Sequence, residues 1–277
     1  MTRAASLWLG LLAAAMHAPP ARSADAPASL ALDGVDLRLV ADAPAPDGRI
    51  RAALLVDLAP GWKTYWRDPG EAGIPPRLDL SGSVNLAATG TDFPMPHRFG
   101  DAYGSSNGYS QPFAVALTFE RQDAAAPAAI ELGLSLGLCR EICIPAVARL
   151  RLVIGPGEPA DTRLVAYAFD ALPEPSTPAA GIVSARLSPD GMSIAIEATA
   201  PDDREVRHAD LFVAGPDGWF FGTPKAPRRD GRRLIFEIPI NERPRSAKDA
   251  PPAEIEAVLD LGAHAYRVEN LAVAAAR

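Results

Sequence analysis

Beyond its first two dozen residues the sequence has no long apolar run. Nowhere after about Ala18 does it approach the roughly 18 continuous apolar residues of a membrane helix. The remainder is expected not to be membrane-embedded. Basic charge is also in deficit. The 27 Lys and Arg face 34 Asp and Glu, a net charge of -7, and setting aside Arg3 and Arg22 widens the gap. That balance argues against nucleic acid and anionic membrane as partners. Histidine and methionine are scarce, at four each, and form no tract. No G-x-S-x-G elbow, no H-E-x-x-H and no phosphate-cradling glycine loop occurs, so conventional hydrolysis lacks its usual machinery. Helical periodicity is sparse as well.

What is present begins with Met1-Thr2-Arg3, an apolar stretch from Leu7 to about Ala18, and Ala21-Arg22-Ser23. This is the layout of a secretory signal peptide over residues 1–23, and it implies an exported, periplasmic protein. Many short alternating apolar stretches follow, among them Ile50 to Leu58, Phe113 to Phe119, Ile130 to Leu138 and Leu234 to Ile240. Pro189-Asp190-Gly191 and Pro216-Asp217-Gly218 are clear turns, and the 28 prolines suit strands joined by long ordered loops. The expected fold is all-β: an immunoglobulin-like β-sandwich over residues 24–157 and a second, smaller β-sandwich over 180–277. Between them, residues 158–179 predict a short helix capped by Asp161, with Leu164, Ala168 and Leu172 on one face, and then a Pro-rich linker.

The most informative segment runs from Ile130 to Ile154. Leu132, Leu134, Leu136 and Leu138 alternate with Glu131, Gly133, Ser135 and Gly137, and the alternation resumes from Ile144. A hairpin with Arg140, Glu141 and Ile142 as a three-residue loop sets Leu138 against Ile144, Leu136 against Ala146 and Leu132 against Leu150 on the core face. The same register puts Cys139 directly opposite Cys143, both on the non-core face. Paired strand positions lie about 4.5–5.5 Å apart at Cα, within disulfide range.

As a staple such a bond is weak. Closing a loop of about five residues is worth only about 2 kcal/mol, and a long loop roughly twice that. A redox role and a structural role both remain open on spacing alone. Arg140 favours a thiolate at Cys139 and Glu141 opposes it. A third reading, a copper site made by the two thiolates and His97, has little ligand support elsewhere in the chain.

Three segments carry a family resemblance. They are Gly61-Trp62-Lys63-Thr64-Tyr65-Trp66-Arg67-Asp68-Pro69-Gly70-Glu71-Ala72-Gly73-Ile74-Pro75-Pro76; Phe93-Pro94-Met95-Pro96-His97-Arg98-Phe99 leading into Asp101-Ala102-Tyr103-Gly104 and Gly108-Tyr109; and Leu138-Cys139-Arg140-Glu141-Ile142-Cys143-Ile144-Pro145-Ala146. They resemble the N-terminal periplasmic domain of the thiol:disulfide interchange protein DsbD, and more closely the variety in the copper-sensitivity suppressor ScsB. The likeness covers roughly residues 40–155.

It implies a cysteine pair, Cys139 and Cys143, that passes electrons to or from periplasmic thioredoxin-fold proteins. The electrons would come from a membrane electron-carrier protein, with no cofactor and no metal. It also implies a capping loop, carried here by Phe99, Tyr103 and Tyr109. Arg67, Asp68 and Glu141 are candidates for supporting the site, although Arg67 and Asp68 also suit a simple mutual pair on a loop. The sequence departs from the family in its C-x₃-C spacing and in containing neither a membrane segment nor a C-x-x-C domain. Trp62 and Trp66 read as a packed core corner. The main alternative is a binding module whose disulfide only stiffens a loop.

Overall fold

A computed structural model of the chain describes residues 26–101, 104–155, 160–201, 208–247 and 250–276. The expected signal peptide and Tyr103 lie outside the described residues. The chain is nearly all β.

Five strands form the first sheet: β1 (Ser29–Leu32), β2 (Val35–Ala41), β3 (Arg49–Leu58), β6 (Leu86–Asp92) and β9 (Phe113–Arg121), in the order β1-β2-β3-β9-β6. The second sheet holds β4 (Lys63–Gly70), β5 (Arg77–Asp79), β7 (His97–Asp101), β8 (Gly104–Tyr109), β10 (Ala128–Cys139) and β11 (Cys143–Ile154). Its order is β11-β10-β4-β8-β7, with β5 also beside β10. Alternation in the sequence decides which side of each strand is buried. In β2, Val35, Leu37 and Leu39 are buried while Asp36 and Arg38 are exposed. In β10, Leu132, Leu134, Leu136 and Leu138 join Phe119, Leu117 and Trp66 in the core between the sheets. This is the expected β-sandwich.

The helix α1 (Thr162–Asp170) forms a third layer on the outer face of the first sheet. Its buried residues are Val165 and Ala168, which meet Val40, Ala53, Ala114 and Ala116. The expected stripe of Leu164, Ala168 and Leu172 is therefore rotated. The small alanines of β3 and β9 admit Val165 closely, and Leu164 and Leu172 lie at the margin. Asp161 caps the helix without a side-chain cap bond, because its carboxylate is held by Arg38. The Pro-rich stretch after the helix is not loose. β12 (Glu174–Pro175) runs parallel to Tyr266 and Arg267, and Ser176 N donates to Arg267 O at 2.7 Å.

The remaining strands are β13 (Gly181–Leu187), β14 (Ser193–Thr199), β15 (Asp210–Ala214), β16 (Phe220–Phe221), β17 (Arg228–Asp230), β18 (Arg233–Glu242), β19 (Glu254–Asp260) and β20 (Ala265–Ala274). They follow the path β15-β19-β20-β13-β14-β18-β16, with β12 beside β20 and β17 beside β18. One core draws Leu211, Ala257 and Leu259 from one end of this path and Ile194, Phe236 and Ile238 from the other, so the sheet folds over on itself.

The other face of β15 and β19 does something different. Phe212, Ala214 and Val258 belong to the core of the first sandwich. Leu211-Phe212-Val213-Ala214 is accordingly buried at four consecutive positions, two per core.

Candidate functional site

The hairpin β10–β11 has the register that strand parity requires. Leu138 pairs with Ile144, Leu136 with Ala146, Leu134 with Ala148, Leu132 with Leu150 and Cys139 with Cys143. The cysteines are joined, with S–S 2.04 Å and Cα–Cα 4.1 Å. They differ sharply in access. Cys139 is 7% exposed, whereas Cys143 is exposed on the outer strand of the sheet. Beside it, Ile142 and Val147 are 75% and 72% exposed, and Pro145 is exposed too.

What covers Cys139 is Tyr65. β4 lies next to β10 with Lys63 opposite Cys139 and Thr64 opposite Leu138. Thr64 Oγ1 donates to Gly137 O at 2.9 Å and fixes that junction. Tyr65 therefore falls beside Gly137 on the cysteine face. Its hydroxyl lies 2.9 Å from Cys139 Sγ and 3.2 Å from Cys143 Sγ. Neither sulfur of a disulfide carries a proton, so the hydroxyl is the donor, shared between them. Gly137 makes room for the ring. A Cβ there would lie 2.7 Å from Ile74 Cβ and 3.0 Å from Tyr65 Cδ2. On the other side of β4, a Cβ on Gly108 would lie 2.1 Å from Thr64 O, so only glycine lets β8 approach.

Phe99 lies behind Tyr65, with ring centroids 6.3 Å apart, and Lys63 Nζ sits 4.8 Å from the centre of the Phe99 ring. Phe99 is carried by the hairpin β7–β8, not by a loop; Phe99 pairs with Ser106. Tyr109 is elsewhere. It pairs with Thr64, the neighbour of Tyr65, so parity turns it to the core face. There it stacks on Phe113 at 3.9 Å and donates to Pro94 O at 2.8 Å, and burial holds its phenol well above the usual range. A capping role for Tyr109 is thereby corrected to a core role.

Arg67 and Asp68 also leave the cysteine site, and they do not pair with each other. Arg67 holds Glu256, donates to Thr91 O at 2.6 Å and stacks over Phe93. Asp68 is 3% exposed, accepting from Gly70 N at 2.9 Å and Phe221 N at 3.3 Å. Burial raises its carboxyl to about 7, against the pull of those two bonds and of Arg98. Both residues therefore bind the chain's second half. Glu141 is exposed at the hairpin tip, and His97 is exposed on β7. Among the described residues no group of three His, Cys, Asp or Glu could hold a metal ion. No described helix is long and apolar enough to cross a membrane.

Tyr65 is the residue that sequence reasoning missed. Its alternation with Lys63 marks it as sharing a face with that residue, and Gly137 marks a close approach. The adjacency of β4 and β10 is what joins the two signals.

Residues 36–154 match the family model described as thiol:disulfide interchange protein DsbD, N-terminal. The crystal structure of the N-terminal periplasmic domain of ScsB from Proteus mirabilis is similar in fold. Its TM-score is 0.65 at 20% identity, over 89% of this chain and 97% of that one. A conserved domain protein from Bacillus anthracis aligns over 86% of this chain and 77% of its own at 8% identity, with a TM-score of 0.23. No curated protein matches the sequence.

Proposed function

We propose that this chain, whose residues 36–154 match the DsbD N-terminal family, is a periplasmic thiol–disulfide exchange protein. It relays electrons between a membrane electron carrier and thioredoxin-fold partners. The observation that carries this reading is the asymmetry of the bond: one exposed sulfur, one buried sulfur, and a tyrosine hydroxyl on both. Cys143 Sγ is the atom that a partner's thiolate reaches. Attack there forms the partner–Cys143 bond and breaks Cys139–Cys143, and the electron pair leaves on Cys139 Sγ. Tyr65 O–H donates to that developing thiolate, a charge-assisted bond stronger than a neutral one. The partner's second thiolate then attacks its own sulfur in the mixed disulfide and releases Cys143 as a thiolate. The chain gains two electrons and the partner becomes a disulfide. Run backwards, the same steps reduce an oxidised partner.

The apolar side chains of Ile142, Pro145 and Val147 around Cys143 suit a protein partner better than a small charged thiol. A redox titration tests the reading. The expected reduction potential lies above the roughly −300 mV of inert structural bridges. Cys139→Ser, which leaves Cys143 as a lone thiol, is expected to trap a mixed disulfide with a thioredoxin-fold partner. A lower potential together with no trapped species would leave only the structural role.

A further inference from the structure

Residues 180–276 have no role in the exchange steps above, yet they grip the two strands that carry the cover of the disulfide. Phe99 and Arg98 are consecutive in β7, so their side chains leave opposite faces of the sheet. Phe99 goes to the cysteine face and backs Tyr65. Arg98 goes to the other face and crosses into the second half. Its Nε and Nη2 grip Asp210 at 2.9 and 3.0 Å, and Nη2 also donates to Leu211 O at 3.0 Å. Nη1 reaches Asn107 Oδ1 at 2.8 Å and Thr223 Oγ1 at 3.4 Å. These bonds match the five donors of a guanidinium, and its carbon stands 4.7 Å from the centre of the Phe212 ring. β4 repeats the arrangement. Tyr65 faces the sulfurs, while Trp66 meets Phe212 edge-on at 6.3 Å and Asp68 accepts from Phe221 N.

We propose that Arg98 is a positioning residue: through it, residues 180–276 hold β7 down, so that Phe99 stays behind Tyr65 and Cys139, the buried sulfur of the bond, stays covered. Among the described residues β7 ends its sheet and pairs there with β8. The bonds from Arg98 to Asp210, Leu211 and Thr223 tie it to the second half, and the Asp210 fork supplies the charged pair among them. Releasing the fork lets the edge strand lift, and Tyr65 loses its backing. The inference deepens the exchange reading, since it names what regulates access to Cys139, but its geometry does not depend on that reading.

The test uses the full chain in its oxidised form and follows the second-order rate of reduction by dithiothreitol under native conditions. Arg98→Ala is expected to raise the rate about tenfold, within the range typical of coupling between sites. Arg98→Lys, which keeps the charge but not the fork, is expected to fall between Arg98→Ala and wild type. Asp210→Asn is expected to raise the rate as well. Ile194→Ala is the control, because Ile194 belongs to the second core, whose described members include no residue of β7. It is expected to lower the melting temperature and leave the rate within twofold of wild type. The proposal is overturned if Arg98→Ala leaves the rate unchanged, or if all variants speed up in proportion to lost stability. Even an inert disulfide would report the lifting of the cover. This outcome is therefore separable from the potential and the trapped mixed disulfide that decide the exchange reading.

Discussion

Asp68→Asn isolates an electrostatic cost at the junction of the two halves. Asp68 is buried, and its carboxyl is raised from 3.8 to about 7, chiefly by loss of water. Its two backbone partners and Arg98 recover only part of that. In the unfolded chain the carboxyl titrates near its ordinary value. A group raised on folding binds an extra proton in the native state between those two values. Its contribution to stability is therefore complete below about pH 4 and fades as pH rises through about 7. With these limits, wild type gains about 3 kcal/mol relative to the variant between pH 8 and pH 5. Asparagine keeps one acceptor for the two N–H groups, which shifts the whole comparison by about 1 kcal/mol at every pH. The slope, not the offset, is thus diagnostic. Urea unfolding of both proteins at pH 5, 6, 7 and 8 measures it. Curves that stay parallel within about 0.5 kcal/mol would refute the account of Asp68 as a carboxyl desolvated by the interface.

Tyr65→Phe removes the donor to the sulfurs. Losing about 1.4 kcal/mol of thiolate stabilisation lowers the reduction potential by about 30 mV, read by glutathione equilibration above the thiol pKa; an unchanged potential would remove the hydroxyl from the mechanism. Gly137→Ala drives a methyl group against Ile74 and Tyr65, so a loss of about 1–3 kcal/mol in chemical unfolding is expected, together with faster reduction of the bond. A loss of stability without faster reduction would separate the ring's position from its covering role. In the reduced protein, a brief pulse of iodoacetamide mapped by mass spectrometry is expected to label Cys143 well before Cys139. Equal labelling would contradict the asymmetry on which the proposed direction of attack rests.

The cysteine hairpin was legible in the sequence because period-two alternation is a local property. Once Leu132 to Leu138 and Ile144 to Ile154 are strands with a buried face, the tight loop leaves one register that buries both, and Cys139 must meet Cys143. The cover was not legible, because it depends on which strand lies next to β10, and strand order is long-range. Parity alone could assign Lys63 and Tyr65 to one face but not say which sheet they belong to. Tyr109 lies outside the cover for a related reason: β7 and β8 pair as strands where the family resemblance implies a loop. In a strand, Tyr109 is committed to the core by its position opposite Thr64. The sequence leaves Arg67 and Asp68 open between supporting the cysteine site and pairing with each other, because their partners, Glu256 and Phe221, lie more than 150 residues away.

The ribbon formed by β15 and β19 sets an unusual limit on how the sequence can drift. An ordinary sandwich strand has a solvent face, so every second position tolerates exchange while the others are held by packing. From Leu211 to Ala214 no position has that freedom: Leu211 and Val213 answer to one core, Phe212 and Ala214 to the other. A bulkier residue at any of the four presses on a packed interior, and a smaller one opens a void in it. Substitutions accumulating in either core must therefore stay compatible with the same short ribbon, which ties the histories of the two halves together residue by residue.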